Sequence, residues 1–233
     1  MEISLKRYSL LIILCLHFAL QAAGIENPSP MLDSLKTKLS MVKDYSADVK
    51  ISLNVSFIRI PVRTAKVFYK KPDKVRIKSP AFVMLPKKGI NFKMQELLEK
   101  PHTAVWIKRE KKRGIWCEVV KIIPLEDHPE VIVATAWIDR LQNRLVALDA
   151  NTRENGNFMV HFSYAARPDA YDLPAMLEFT FDVNKMSLPM GITGEFDSEA
   201  RKPGGKGPEK ATLTLKYSQY VVNQGISDAV FRE

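Results

Sequence analysis

The chain has 233 residues, 46% of them apolar and 26% charged, a mix that excludes wholesale disorder and any collagen-like or low-complexity chain. Two cysteines, Cys15 and Cys117, are too few for a disulfide scaffold, and a domain of this length can bury enough surface to need no staple. Lysine and arginine number 35 against 26 aspartates and glutamates, a formal charge of +9. That excess favours anionic partners such as lipid headgroups, lipopolysaccharide, nucleic acid or an acidic protein.

Met1 to Gly24 reads as a secretory signal peptide. Lys6 and Arg7 give a positive start, Leu10 to Leu20 an apolar run broken only by His17, and Ala22-Ala23-Gly24 a cleavage site of small residues. The run is too short to span a bilayer comfortably. Cys15 follows Leu14 inside that run, which excludes a lipoprotein signal. Cleavage after Gly24 would leave 33 cationic and 25 acidic residues, a charge of +8, with Cys117 as the one thiol. An exported protein with one thiol fits a bacterial periplasm better than a eukaryotic secreted module. No later stretch is apolar enough to span a bilayer, so a soluble mature protein, residues 25–233, is expected as one domain.

After Asn27-Pro28-Ser29-Pro30, the stretch Met31 to Lys43 places Leu32, Leu35, Leu39 and Val42 at helical spacing, with Asp33 or Ser34 available to satisfy its first N–H groups. The period then becomes two. Tyr45, Ala47, Val49, Ile51, Leu53, Val55 and Phe57 alternate with polar residues, which predicts one long strand with an apolar and a polar face. Arg63 to Lys70 and Lys74 to Lys78 follow as strands around the turn Lys71-Pro72-Asp73. Ser79 to Pro101 carries three prolines and a short helical pattern, Phe92 to Glu99, in which Met94, Leu97 and Leu98 cluster.

Strands resume at Ala104 to Lys108, expected to pair with Ile115 to Ile123 across a basic turn, Arg109 to Arg113. Val131 to Ile138 and Arg144 to Asp149 read as a hairpin. Alternation over Phe158 to Tyr164, Leu177 to Val183 and Ala211 to Tyr217 gives three more strands, and the glycine-rich, charged stretch Asp197 to Lys210 reads as a mobile loop. Strands that follow one another without intervening helices form an antiparallel sheet. A sheet this large with one apolar face must cover it: it can fold into a sandwich, close into a barrel, or curl and cap itself with helices.

Signals for chemistry are sparse. His102, His128 and His161 lack metal-ligand spacing, and His128 sits in the turn-like Glu126-Asp127-His128-Pro129. His161 falls on the polar phase of its strand and is expected to be exposed. Cys117 is expected as a quiescent thiol facing away from Ile115 and Val119. There is no Gly-x-Ser-x-Gly elbow, phosphate loop or dinucleotide fingerprint, and Gly204-Gly205-Lys206-Gly207 lacks the strand and helix that a phosphate cradle needs. No enzyme, cofactor or metal is expected. The basic clusters Lys70-Lys71, Lys87-Lys88 and Lys108 to Arg113, the last flanked by Trp106 and Trp116, read first as solvated turns and second as an anion patch. The larger signal is apolar strand surface beside an amphipathic helix. If a gap is left between them it suits acyl chains, since each buried CH₂ contributes about 0.8 kcal/mol.

Three segments carry a family resemblance. These are Val67-Phe68-Tyr69-Lys70-Lys71-Pro72-Asp73-Lys74-Val75-Arg76, then Ala136-Trp137-Ile138-Asp139 with Asn143-Arg144-Leu145, and the ending Tyr220 to Phe231 with its Asp228-x-x-Phe231. Together with a signal peptide, a helix and a long first strand, they resemble the outer-membrane lipoprotein carrier superfamily (LolA/LolB-like). The Pro- and Lys-rich stretch Ala81 to Lys100 departs from that pattern. The resemblance implies a mainly β fold with some α, one strongly curved, unclosed antiparallel sheet covered by the N-terminal helix and the short helical insertion. It also implies a periplasmic, non-enzymatic carrier or sensor of acyl chains or lipoproteins with a role in outer-membrane lipoprotein sorting. An inner- or outer-membrane protein partner and a monomer are also expected, and export argues against nucleic acid as the ligand of the basic and aromatic residues. Val49, Ile51, Leu53, Val55, Phe57, Val67, Tyr69, Phe179 and Phe181 are expected to line its cavity, and Met94, Leu97 and Leu98 to cap it. The competing expectation is an exported protein-interaction or regulatory module with a packed core and no bound lipid.

Overall fold

The computed structural model describes residues 27–55, 58–59, 61–79, 94–154, 156–165, 171–182 and 210–232. The expectations for Met1 to Gly24, Phe57, most of the glycine-rich stretch Asp197 to Lys210, and the side chain of Met94 lie outside these residues.

Helix α1 (Ser29–Ser40) starts earlier than its apolar stripe suggested. Pro30 fits its first turn because a proline needs no partner for an N–H there. Asn27, not Asp33 or Ser34, serves its start: Asn27 Oδ1 accepts from the Ser29 N–H at 2.9 Å. Leu32 and Leu35 are buried beneath the helix, and Leu39 packs partly buried beside them.

The strands follow the two-residue period. They are β1 (Asp44–Val55), β2 (Ile58–Arg59), β3 (Arg63–Lys70), β4 (Lys74–Lys78), β5 (His102–Lys112), β6 (Ile115–Pro124), β7 (Val131–Asp139), β8 (Arg144–Thr152), β9 (Gly156–Ser163), β10 (Met176–Asp182) and β11 (Lys210–Val222). Helix α2 (Met94–Glu99) lies between β4 and β5, and a 3₁₀ turn spans Asp228–Phe231. Among the described residues ten strands form one antiparallel sheet in the order β4-β3-β1-β11-β10-β9-β8-β7-β6-β5, and β2 pairs with the end of β1. The sheet curves without closing: β4 and β5 are its two edges, and the segment joining them carries α2. The last strand inserts between β1 and β10, with Leu53 opposite Leu213 and Phe179 opposite Leu213 on its other side.

One face of the sheet, here the inner face, carries α1, α2 and the main core. Val49, Ile51, Val120, Ile122, Leu148, Val160, Leu213 and Leu215 meet there with Leu32 and Leu35 of α1 and Leu97 and Leu98 of α2. Ends are tied by polar contacts between distant segments. Lys70 and Lys74 both reach Asp228 Oδ1, at 2.7 and 3.1 Å, which fastens the β3–β4 turn to the C-terminal 3₁₀ turn. The Asp44 carboxylate accepts from the backbone N–H groups of Gln224 and Gly225 at 3.1 and 3.2 Å.

The β5–β6 hairpin and the outer face depart from expectation in three ways. Arg109 to Lys112 continue β5, and the reversal is confined to Arg113 and Gly114, which both take positive φ (49° and 84°) as a tight hairpin needs. The basic run stays extended because its residues find partners on both faces of the sheet, Arg109 on the side of Val120 and Ile122 and Lys112 on the side of Val119 and Trp137. Arg109 Nε and Nη2 meet Glu118 Oε1 at 2.8 and 2.6 Å, and Lys112 lies 4.1 Å from the Trp137 ring centre. The hairpin tip also folds across the outer face, where Glu110 accepts from Trp137 Nε1 and Arg113 pairs with Glu178 on β10, four strands from β6. Cys117 therefore shares a face with Ile115 and Val119, as residues two apart on a strand must, and packs in a second buried cluster with Val119, Trp137, Val146 and Ala147. His161 is half-buried under the same hairpin tip instead of exposed.

Candidate functional site: a roofed apolar cavity

A cavity of about 300 Å³ separates α1 from the inner face. Its floor is built by alternation, because every second residue of a strand points the same way. Val49 and Ile51 of β1, Val67 and Tyr69 of β3, and Val75 and Ile77 of β4 form one flank. Val160 and Phe162 of β9, Leu177 and Phe179 of β10, and Leu215 and Tyr217 of β11 form the middle. The roof is the stripe of α1 and its exit, Leu35, Leu39 and Val42. Small-molecule sites span about 300–1,000 Å³ and are mostly apolar with a few polar groups, a description this cavity meets at its small end.

Tyrosines gather on the β3–β1–β11 flank. The Tyr45 ring lies 5.3 Å from that of Tyr69 and 5.5 Å from that of Tyr220, and Tyr217 stacks on Tyr220 at 5.7 Å. Burial, with the neighbouring Tyr69 second, pushes the Tyr45 hydroxyl up to about 12. Burial also raises Tyr217 and, with the Asp172 charge adding to it, Tyr164. These hydroxyls stay neutral at physiological pH and add no charge to the cavity wall.

The charged side chains lie on the β8–β9 flank. Lys38 of α1 reaches under the helix to Asp172 Oδ2 at 2.6 Å and to the Gln142 carbonyl at 2.9 Å. Arg144, first residue of β8, has Nη1 3.4 Å from Asp172 Oδ1 and stacks 4.4 Å from the Tyr164 ring centre. Lys38, Asn143, Arg144 and Asp172 all line the cavity. The β7–β8 turn that presents Arg144 is held by Asp139, whose Oδ1 accepts from Leu141 and Gln142 N–H groups, and Asn143 donates to Ser34 Oγ at 2.7 Å.

Five residues expected on the cavity line it: Val49, Ile51, Val67, Tyr69 and Phe179. Val55 and Phe181 are buried in the core beyond its wall, and Leu53 packs half-buried against that core. Leu97 and Leu98 of α2 are buried in the same core and do not line the cavity, so the roof belongs to α1. Phe162, Leu177, Leu215 and Tyr217 were available from the same alternation that marked their strands. Arg144 stands in the hairpin segment that carries the family resemblance, but nothing local marks it, Lys38 or Asp172 as a cavity residue, since they come from a turn, a helix and a connection far apart in sequence. Among the described residues no cluster of His, Cys, Asp and Glu could hold a metal ion.

No family model matches the chain, and no curated protein matches it in sequence. Its shape does have solved counterparts. A DUF1329 family protein from Desulfovibrio piger superposes with a TM-score of 0.59 at 11% identity, covering 89% of this chain and 98% of the other. A domain from Vibrio parahaemolyticus, described as an outer membrane lipoprotein-sorting protein domain, gives 0.56 at 12% identity over 88% and 97%. A LolA superfamily protein from Nitrosomonas europaea gives 0.54 at 7% identity over 87% and 97%. The chain has a divergent LolA-like fold.

Proposed function

We propose that this protein is an exported, non-enzymatic carrier or sensor that holds lipid acyl chains, free or on a lipoprotein, between α1 and the inner face of the sheet. The observation that carries the reading is the cavity itself: about 300 Å³, walled by Val49, Ile51, Val67, Phe179 and Leu215 and roofed by one amphipathic helix. Burying eight methylenes there would contribute roughly 6 kcal/mol before the cost of ordering the chain. The similarity to a lipoprotein-sorting domain and to a LolA superfamily protein supports the same class of cargo. Met1 to Gly24 would send the chain to the periplasm as a monomer, where a membrane protein would deliver or receive the cargo. Val49, Ile51, Val67, Tyr69 and Phe179 would contact the chain directly.

Native mass spectrometry of protein purified gently from its own host tests this, followed by extraction of any bound lipid. A bound phospholipid, fatty acid or lipopeptide is expected, together with uptake of an uncharged fluorescent acyl probe. Protein that is empty and takes up no probe would refute the reading and favour an interaction module with a closed core.

A further inference from the structure

The charged flank of the cavity contains an arginine with one unsatisfied donor. Arginine and a carboxylate usually meet through two parallel bonds at about 2.7–2.9 Å. Arg144 does not. Its Nη1 is 3.4 Å from Asp172 Oδ1, while Asp172 holds Lys38 tightly at 2.6 Å through its other oxygen. Arg144 Nε is buried with no hydrogen-bond partner, and Asp139 Oδ2 is 3.8 Å away. The N–H groups of its own turn hold Asp139 through Oδ1, which leaves Oδ2 beyond hydrogen-bond reach of Nε. The guanidinium cannot swing out to water freely, because its face lies on Tyr164 and its side chain is only 18% exposed. A buried donor without a partner costs about 1–3 kcal/mol, and Arg144 lines the cavity, so an acidic group entering there would relieve that cost.

We infer that Arg144, assisted by Lys38, receives the acidic head of an amphiphile whose chain lies in the cavity, and that Asp172 is an internal carboxylate competing for the same cations. The inference rests on the acyl-chain reading and names its cargo more narrowly: a carboxylate or phosphate on a single chain. The charges around the site agree with a competition. Lys38 and Arg144 are balanced by Asp172 and Asp139, so an incoming acid gains most when Asp172 gives way. Asp172 already takes a positive φ of 49°, a conformation that aspartate tolerates better than most residues.

The test uses the full mature chain loaded with an uncharged fluorescent acyl probe. Displacement by dodecanoate, dodecyl phosphate and dodecanol gives three dissociation constants, and the readout is the ratio of alcohol to acid. The wild type is expected to favour an acid over the alcohol, and whichever acid binds tighter identifies the head. Asp172→Asn should raise that ratio by about tenfold, the size of one charge-assisted hydrogen bond. Arg144→Gln should bring the ratio near one. Thermal melts establish that each variant folds, and either variant alone decides the matter if the other does not. Equal ratios in the wild type and in every folded variant would overturn the inference while leaving the cavity reading intact. Failure of all three amphiphiles and of the probe to bind would overturn both.

Discussion

Truncating Leu35 separates an open cavity from a packed core. Leu35 is 2% exposed, points from α1 to the sheet, and borders the cavity. Leu148 of β8 is 0% exposed, lies in the same core, and does not border it. Leu→Ala at either site loses the transfer energy of three carbons, about 2.4 kcal/mol at 0.8 kcal/mol per methylene. At Leu148 the deletion opens new space inside a tight layer between Ala136 and Val160. A void on the order of 100 Å³ would add about 2 kcal/mol there, for a total of about 4–5 kcal/mol. At Leu35 the vacated space joins a space that already exists, so little new void is created and the cost should stay near 2–3 kcal/mol. Urea unfolding of both variants, analysed with a common slope, measures the difference directly. A Leu35→Ala cost equal to or above that of Leu148→Ala would mean that α1 sits on a filled core, and the cavity argument would fail.

Three further outcomes follow from the fold. Glu118, 1% exposed, takes bonds from Trp106 Nε1 and twice from Arg109, so Glu118→Gln should lower stability by about 2 kcal/mol. The value is held down because the half-exposed Arg109 can turn to water, and an unchanged urea midpoint would deny the knot any role. The Cys117 thiol is pushed up to about 11, by burial first and the Asp139 charge second, so a thiol reagent at pH 8 should leave the folded protein unlabelled and react once urea is added. His161 is held below the ordinary histidine value by burial first, then by Arg113 and Lys112. Its neutral form is the one the fold favours, so the contribution is present above about pH 6.5 and is lost as pH falls through the lower folded value. Stability measured at pH 7.5 and pH 5 should therefore drop more in the wild type than in His161→Gln, and parallel drops would refute that assignment.

The strands were legible because half-buried strands repeat every two residues. β3 (Arg63–Lys70) and β4 (Lys74–Lys78) coincide with their sequence patterns, and the five expected residues on the cavity wall are all alternation residues. The pattern failed where charge overrode it. Arg109 to Lys112 look like a turn by composition, yet they extend because Glu118 and Trp137 lie opposite as partners, contacts that span up to 27 residues of sequence. His161 looked exposed because polar phase implies solvent only when nothing covers that face, and the hairpin tip does. The charged end of the cavity was invisible for the same reason. Lys38 and Asp172 stand 134 residues apart, and no local spacing encodes their meeting.

The cavity has a physical origin in how its roof is hung. An amphipathic helix left to itself would settle until its apolar stripe met the sheet, since close packing is worth more than a gap. Here α1 is fixed from both flanks by polar contacts that set its height. On the β8 side Asn143 holds Ser34, and Lys38 holds the Gln142 carbonyl and Asp172. On the other side Lys71 reaches the Ser40 carbonyl, and Asn223 donates to the Met41 carbonyl while accepting from the Lys43 N–H. Under the first turn of α1 the space is filled, with Leu32 packed in one core with Leu97 and Leu98 of α2, and Leu35 stands where that core gives way to the cavity. Under the second half α2 contributes no lining, and Leu39, with Val42 just past the helix, borders the same cavity as Tyr45, Val67 and Tyr69. A roof suspended by polar ties over an apolar floor resists collapse without cargo and keeps apolar surface available for a chain to cover.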